Sequence, residues 1–167
     1  MVRVSEVSRG VMDSNSQRKE LLGFADEIGL LWEELGLPRA WGRVLGWLLV
    51  CEPESQSAED LAEVLHASRG SISMATRSLI RMDVIERQTK RGDRRTYYRI
   101  QPGTWTGVFE QQIQTTTKVC QLTKKGLELL NDEPAARRDR LRELHDFTEF
   151  YERECLALIA KWRNDRA

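Results

Sequence analysis

The sequence predicts a mainly α protein carrying one small β-hairpin, an α+β fold. Three observations support this. Apolar residues recur at three-to-four spacing over most of the chain, the period of a helix buried along one face. Two β-prone runs, residues 84–88 and 96–100, interrupt that pattern across a turn containing Gly92 and Asp93. The charge is also uneven: the chain balances 26 basic against 26 acidic side chains, yet residues 66–100 hold nine basic and three acidic, against six and twelve in residues 1–65. A basic stretch confined to one part of a neutral chain suits a polyanionic partner at a single face.

Residues 1–16 lack the apolar run of a secretory leader and are expected as a flexible N-terminus. Leu21, Phe24, Ala25, Ile28, Trp32 and Leu35 then share one face, so residues 17–36 form an N-terminal helix for core or dimerisation, ended by Gly36. Pro38 fits the first turn of a second helix, which turns Trp41, Val44, Leu45, Leu48 and Leu49 inward and stops before Pro53. After a polar loop at residues 54–56, the spacing of Ser57 and Asp60 resembles a capping box. It opens a short helix with Leu61, Val64 and Leu65 buried.

The helix expected over residues 68–82 starts at Ser68, whose hydroxyl can cap the free amides of the first turn. Ile72, Ala75, Thr76 and Leu79 fall on one face, and Gly70, Ser73, Met74, Arg77 and Arg81 roughly opposite. Small residues let a helix sink into a groove, serine reaches base edges or phosphate, and arginine offers a planar fork of donors. In the hairpin that follows, Tyr98 and Ile100 are expected to face the core, with Tyr97 and Arg99 outward. Its tip carries Lys90, Arg91, Arg94 and Arg95. A short helix, a small-and-cationic helix and a basic-tipped hairpin make residues 37–101 a winged helix-turn-helix. One helix enters the major groove and the wing reaches flanking phosphates or the minor groove. The candidate DNA-binding residues are Ser68, Arg69, Gly70, Ser73, Met74, Arg77, Arg81, Lys90, Arg91, Arg94 and Arg95.

Residues 42–100 resemble the winged-helix core of MarR-type transcriptional regulators, in particular their GbsR-like branch. The features that carry the resemblance are Gly42-Arg43, the run SAEDLAEVL from Ser57, the spacing of Ser68-Arg69-Gly70 and Ser73, Arg77 followed by Leu79, and GDRRTYY in the wing. It implies an obligate homodimer on a pseudo-palindromic operator, commonly a repressor released by a small-molecule effector. It also implies Arg94 as the wing-tip arginine in the minor groove, steadied by Asp93. The GbsR-like branch further suggests choline-like ligands bound by aromatic side chains. Trp32, Trp41, Trp47 and Trp105, however, lie on or near apolar stripes, where core packing explains them.

Residues 102–167 read as two long helices separated at Asn131-Asp132-Glu133-Pro134. The first carries Trp105, Val108, Phe109, Gln112, Thr116, Val119, Leu122, Leu127 and Leu130 as an interrupted stripe. On the second, Leu141, Leu144, Tyr151, Leu158 and Trp162 are the candidate dimerisation residues, alongside Thr148, Cys155 and Ile159. A chain of this length cannot bury all of these stripes alone, which points to a helical dimer interface. Cys51, Cys120 and Cys155 lack metal-ligand spacing and read as reduced thiols. His66 and His145 have no nucleophile or carboxylate constellation, so neither an enzyme nor a cofactor is expected. No apolar run is long enough to cross a membrane, and a cytoplasmic location is expected. The alternative function is a winged-helix protein-docking module that binds an acidic partner.

Overall fold

The computed structural model describes residues 14–165. Two compact units divide between Pro102 and Gly103. The first contains α1 (Ser14–Glu34), α2 (Arg39–Val50), β1 (Gln56–Ser57), α3 (Ala58–Val64), α4 (Arg69–Arg81), β2 (Ile85–Thr89) and β3 (Thr96–Ile100). The second is a helical hairpin of α5 (Thr104–Leu129) and α6 (Ala135–Asn164). The α1 helix begins at Ser14, three residues before the expected start. The rest of the expected flexible N-terminus, residues 1–13, lies outside the described residues.

Three small residues let α1 and α2 touch through their backbones. A β-carbon on Gly42 would lie 2.6 Å from the Ile28 carbonyl oxygen, and one on Gly46 would lie 2.8 Å from the Ala25 Cα. On Gly29 it would meet the Arg43 side chain at 2.6 Å. The buried seam of α1 therefore centres on Ala25 and Gly29, while Phe24 and Leu35, expected inward, are exposed. Leu49 of α2 is likewise exposed, and Trp47 beside it is buried. An ion pair from Arg43 Nε to Asp26 Oδ1 (2.5 Å) ties the two helices together.

The expected capping box opens α3: the Asp60 amide donates to Ser57 Oγ (3.1 Å) and the Ser57 amide donates to Asp60 Oδ2 (2.9 Å). Leu61, Leu65, Ile72, Leu79, Val44 and Ile85 fill the core below it. The residues expected as a polar loop, 54–56, instead lead into β1, which pairs antiparallel with β3 and gives a sheet ordered β1-β3-β2. The hairpin register pairs Gln88 with Tyr97 and Arg87 with Tyr98. Tyr97 rather than Tyr98 is the buried residue, at 5% exposure. With partners on both sides β3 is a central strand, and Tyr98, Arg99 and Ile100 are all half-buried.

Across the second unit, α5 and α6 meet through a polar seam. Thr117 Oγ1 donates to Glu152 Oε1 (2.5 Å), and Thr123 Oγ1 lies 3.0 Å from His145 Nδ1. The Thr123 hydroxyl also donates to the Cys120 carbonyl (2.9 Å). Among the described residues of this unit Ile113 is the only fully buried apolar side chain. Trp105, Phe109 and Leu122, expected on a buried stripe, are exposed, together with Leu144, Phe147, Phe150, Tyr151, Leu158 and Trp162. Leu141 is already engaged inside the hairpin, where it packs against Gly126.

An alanine in a helix interior normally stabilises relative to glycine, by up to about 1 kcal/mol. Gly46→Ala is expected to reverse that sign and destabilise by about 1 to 3 kcal/mol, because the added methyl must push two backbones apart. Urea unfolding of the variant beside the unsubstituted chain checks this, and a gain in stability would contradict the packing described.

Candidate nucleic-acid interface

The outward surface of α4 follows from how its two faces divide. Ile72, Ala75, Thr76 and Leu79 are buried, and Thr76 satisfies its hydroxyl by donating to the Ile72 carbonyl (2.9 Å). That fixes the rotation of the helix, so Ser73, Met74, Arg77 and Arg81 are exposed, with Arg69 and Gly70 in the first turn. Ser68 caps the helix by accepting from the Ser71 amide (3.1 Å), which leaves its hydroxyl hydrogen to donate elsewhere. Arg77 lies back along its own helix, with Nε donating to the Ser73 carbonyl (3.1 Å). Met74, at 58% exposure, puts a large apolar side chain on this otherwise polar surface.

Gly70 differs from the packed glycines of α2. A β-carbon there would meet nothing nearer than Ser68 Oγ at 3.9 Å. Among the described residues no contact requires this residue to be glycine. A bare backbone on an exposed, cationic helix face permits close approach by a partner from outside.

The wing is built around Asp93. Its carboxylate accepts from the Arg95 amide (2.8 Å), from Arg95 Nη2 (2.9 Å) and from the Tyr97 hydroxyl (2.7 Å). The Arg95 and Tyr97 donors hold the carboxyl well below the usual carboxylate range. Arg95 Nη1 also comes within 3.9 Å of Asp60 Oδ1, linking the wing base to the cap of α3. Lys90 Nζ sits 4.0 Å from the Tyr97 ring centroid. Gly92, at φ 83, makes the turn. Asp93 therefore steadies Arg95, and not Arg94 as the resemblance implied. Arg91 and Arg94 are exposed and, among the described residues, form neither hydrogen bonds nor ion pairs.

At the outer base of the wing, Arg99 pairs with Glu86 (2.6 Å) and Glu54 (3.1 Å), so this arginine is neutralised within the chain. The expected wing cations thus divide: Lys90 and Arg95 brace the hairpin through the Tyr97 ring and Asp93, and Arg91 and Arg94 stay open. Sequence reasoning missed the structural part played by Tyr97, although an Asp followed by Arg and Tyr at positions two and four was a visible signal for a braced turn. Cys51, 8% exposed, is held as an inert thiol, since burial pushes it up to about 11. Among the described residues no group of three or more His, Cys, Asp or Glu side chains could hold a metal ion, and no helix is long and apolar enough to cross a membrane.

Comparison with known proteins adds three findings. Residues 35–96 match a family model described as the MarR family, and residues 103–165 match one described as MmpR5-like MarR family transcriptional regulator. Over 146 residues the chain is 40% identical to the HTH-type transcriptional regulator MmpR5 of Mycobacterium tuberculosis (strain ATCC 25618 / H37Rv), spanning 87% of this chain and 88% of that protein. A crystal structure of a transcriptional regulator superposes with a TM-score of 0.72 at 38% identity, covering 87% of this chain and 99% of the other.

Replacing Asp93 by Ala removes the acceptor that holds Arg95 and Tyr97. Trypsin is expected to cut the wing of Asp93→Ala several-fold faster than that of the unsubstituted chain, with the rest of the protein cut at the same rate. Equal cleavage of the two wings would show that the bracing has no effect on local order.

Proposed function

The chain belongs to the MarR family of transcriptional regulators, and from that premise we propose that it is a cytoplasmic, sequence-specific DNA-binding regulator. It acts as a homodimer on an inverted-repeat operator, as a repressor released by a small-molecule effector. Two copies of α4 enter successive major grooves, and the wings meet the flanking backbone. The observation that carries this reading is the exposed face of α4, where Ser73, Met74, Arg77 and Arg81 follow a glycine whose absent side chain is required by no contact among the described residues.

Ser68, Arg69, Ser73 and Arg77 are assigned to base edges and adjacent phosphates, and Arg91 and Arg94 to phosphates or a narrow minor groove. Lys90 and Arg95 add charge there while bracing the wing. The dimer interface is assigned to the exposed side of the helical hairpin, through Leu144, Tyr151, Leu158 and Trp162, with Leu141 supporting it from within. Support comes from the burial pattern: a hairpin with a single fully buried apolar residue needs cover for its aromatic side. The GbsR-like affinity of residues 42–100 is part of the proposal. The C-terminal helices match an MmpR5-like model instead, so no ligand preference is carried over from either branch.

Selection of bound sequences from a random duplex pool tests the reading, with inverted repeats whose half-sites lie about 10 base pairs apart as the expected product. On that operator Arg77→Ala is expected to weaken binding by about 1 to 3 kcal/mol while leaving random DNA nearly unaffected. Arg94→Ala should weaken both, and lower the slope of log affinity against log salt by up to about one. An Arg94→Ala protein unchanged in affinity and slope would contradict the wing assignment and favour an acidic protein partner. Truncation after residue 132 is expected to give a monomer or an insoluble product in sedimentation, whereas the full chain sediments as a dimer at micromolar concentration.

A further inference from the structure

We propose that His66 is an additional DNA contact, its imidazole donating to a backbone phosphate beside the groove that α4 enters. The proposal rests on the DNA-binding reading above and adds a residue to it. The α3 helix closes with the Ala67 amide donating to the Ala62 carbonyl (2.9 Å) and the His66 amide to the Glu63 carbonyl (3.2 Å). That pattern puts residue 66 in the left-handed turn after the helix, and His66 has φ 48. Glycine is the usual residue here, because any β-carbon crowds the backbone. The same chain uses glycine for the equivalent turn after α1, where Gly36 has φ 77 and the Leu37 amide donates to the Trp32 carbonyl (2.9 Å).

Two non-glycine residues take this conformation among the described residues, one at each end of the segment carrying α4. Asp83, with φ 55, follows α4 and has an interaction within the chain. His66 precedes α4, is exposed, and makes no side-chain hydrogen bond or ion pair among the described residues. Among the described residues nothing offsets that strain through the side chain, which suits a partner outside the chain. Two residues further on, Ser68, Arg69 and Gly70 begin the exposed first turn of α4, in the most basic part of the chain. An imidazole N–H in that place suits a phosphate oxygen, which accepts hydrogen bonds from histidine as it does from other donors in such interfaces.

The test uses the full chain and fluorescence anisotropy on two duplexes, one of random sequence and one recovered from the pool selection, each across a salt series. His66→Gly is expected to weaken both duplexes equally, by about three- to tenfold, while its thermal midpoint stays the same or rises, because glycine suits the turn. His66→Arg is expected to tighten both and to steepen the salt slope by up to about one. Unchanged affinity of His66→Gly on both duplexes overturns the proposal. So does a loss of affinity matched by a lower thermal midpoint, which would make the residue merely structural, or a salt slope that His66→Arg leaves unmoved. Failure of the unsubstituted chain to bind either duplex would fell the DNA-binding reading itself, and this proposal with it.

Discussion

Backbone-to-backbone contact between α1 and α2 is the constraint on which the first unit depends. Gly42 and Gly46 have less than the room of one methyl group facing Ile28 and Ala25. Larger residues at these positions would drive the helices to an ordinary packing distance and shift α2, which also packs on α4 and β3. The orientation of the exposed α4 face is thus referred back, through α2, to a glycine seam remote from it. A rigid interior passes such displacements on because it has little free volume to absorb them.

The wing obeys a different rule. Ile85 and Tyr97 are its buried side chains, and a two-stranded hairpin is marginal in water. Its order comes from the third strand at Gln56–Ser57 and from one carboxylate that collects four donors, three from Arg95 and one from Tyr97. Asp93 is an acid in the middle of a cationic loop, and its effect is to remove conformational freedom from Arg95 and Tyr97, so that the open arginines are carried on a fixed frame. Cations presented this way lose less entropy on meeting a polyanion than they would on a free loop.

Much of this was readable from sequence, where the signal was local. The capping box at Ser57 and Asp60, the Ser68 cap, the division of α4 into two faces and the turn at Gly36 each need only a few neighbouring residues, and the structure has them all. Inward-facing residues failed where a long-range partner decided the matter. Phe24 and, just past the end of α1, Leu35 belong to the expected apolar stripe, yet the buried seam follows the small residues, because closeness to α2 rather than hydrophobicity determines what is covered. The inverted tyrosines of β3 share a cause: a two-residue β1 is too short to recognise from its own composition, yet it makes β3 central. At the candidate interface, the exposed residues of α4 were legible, and the division between braced and open wing cations was not, since it depends on hydrogen bonds to Asp93.

On the proposed dimer, the thinly buried hairpin of α5 and α6 bears on the life of the protein in the cell. Where the folded form of a chain is completed by a second copy, its stability rises with the logarithm of subunit concentration. Newly made subunits at low abundance would then be the ones most exposed to proteolysis, and the pool would become durable only once it was large enough to pair. A regulator of this construction would have a threshold of accumulation written into the apolar side of two helices, before any operator or effector takes part.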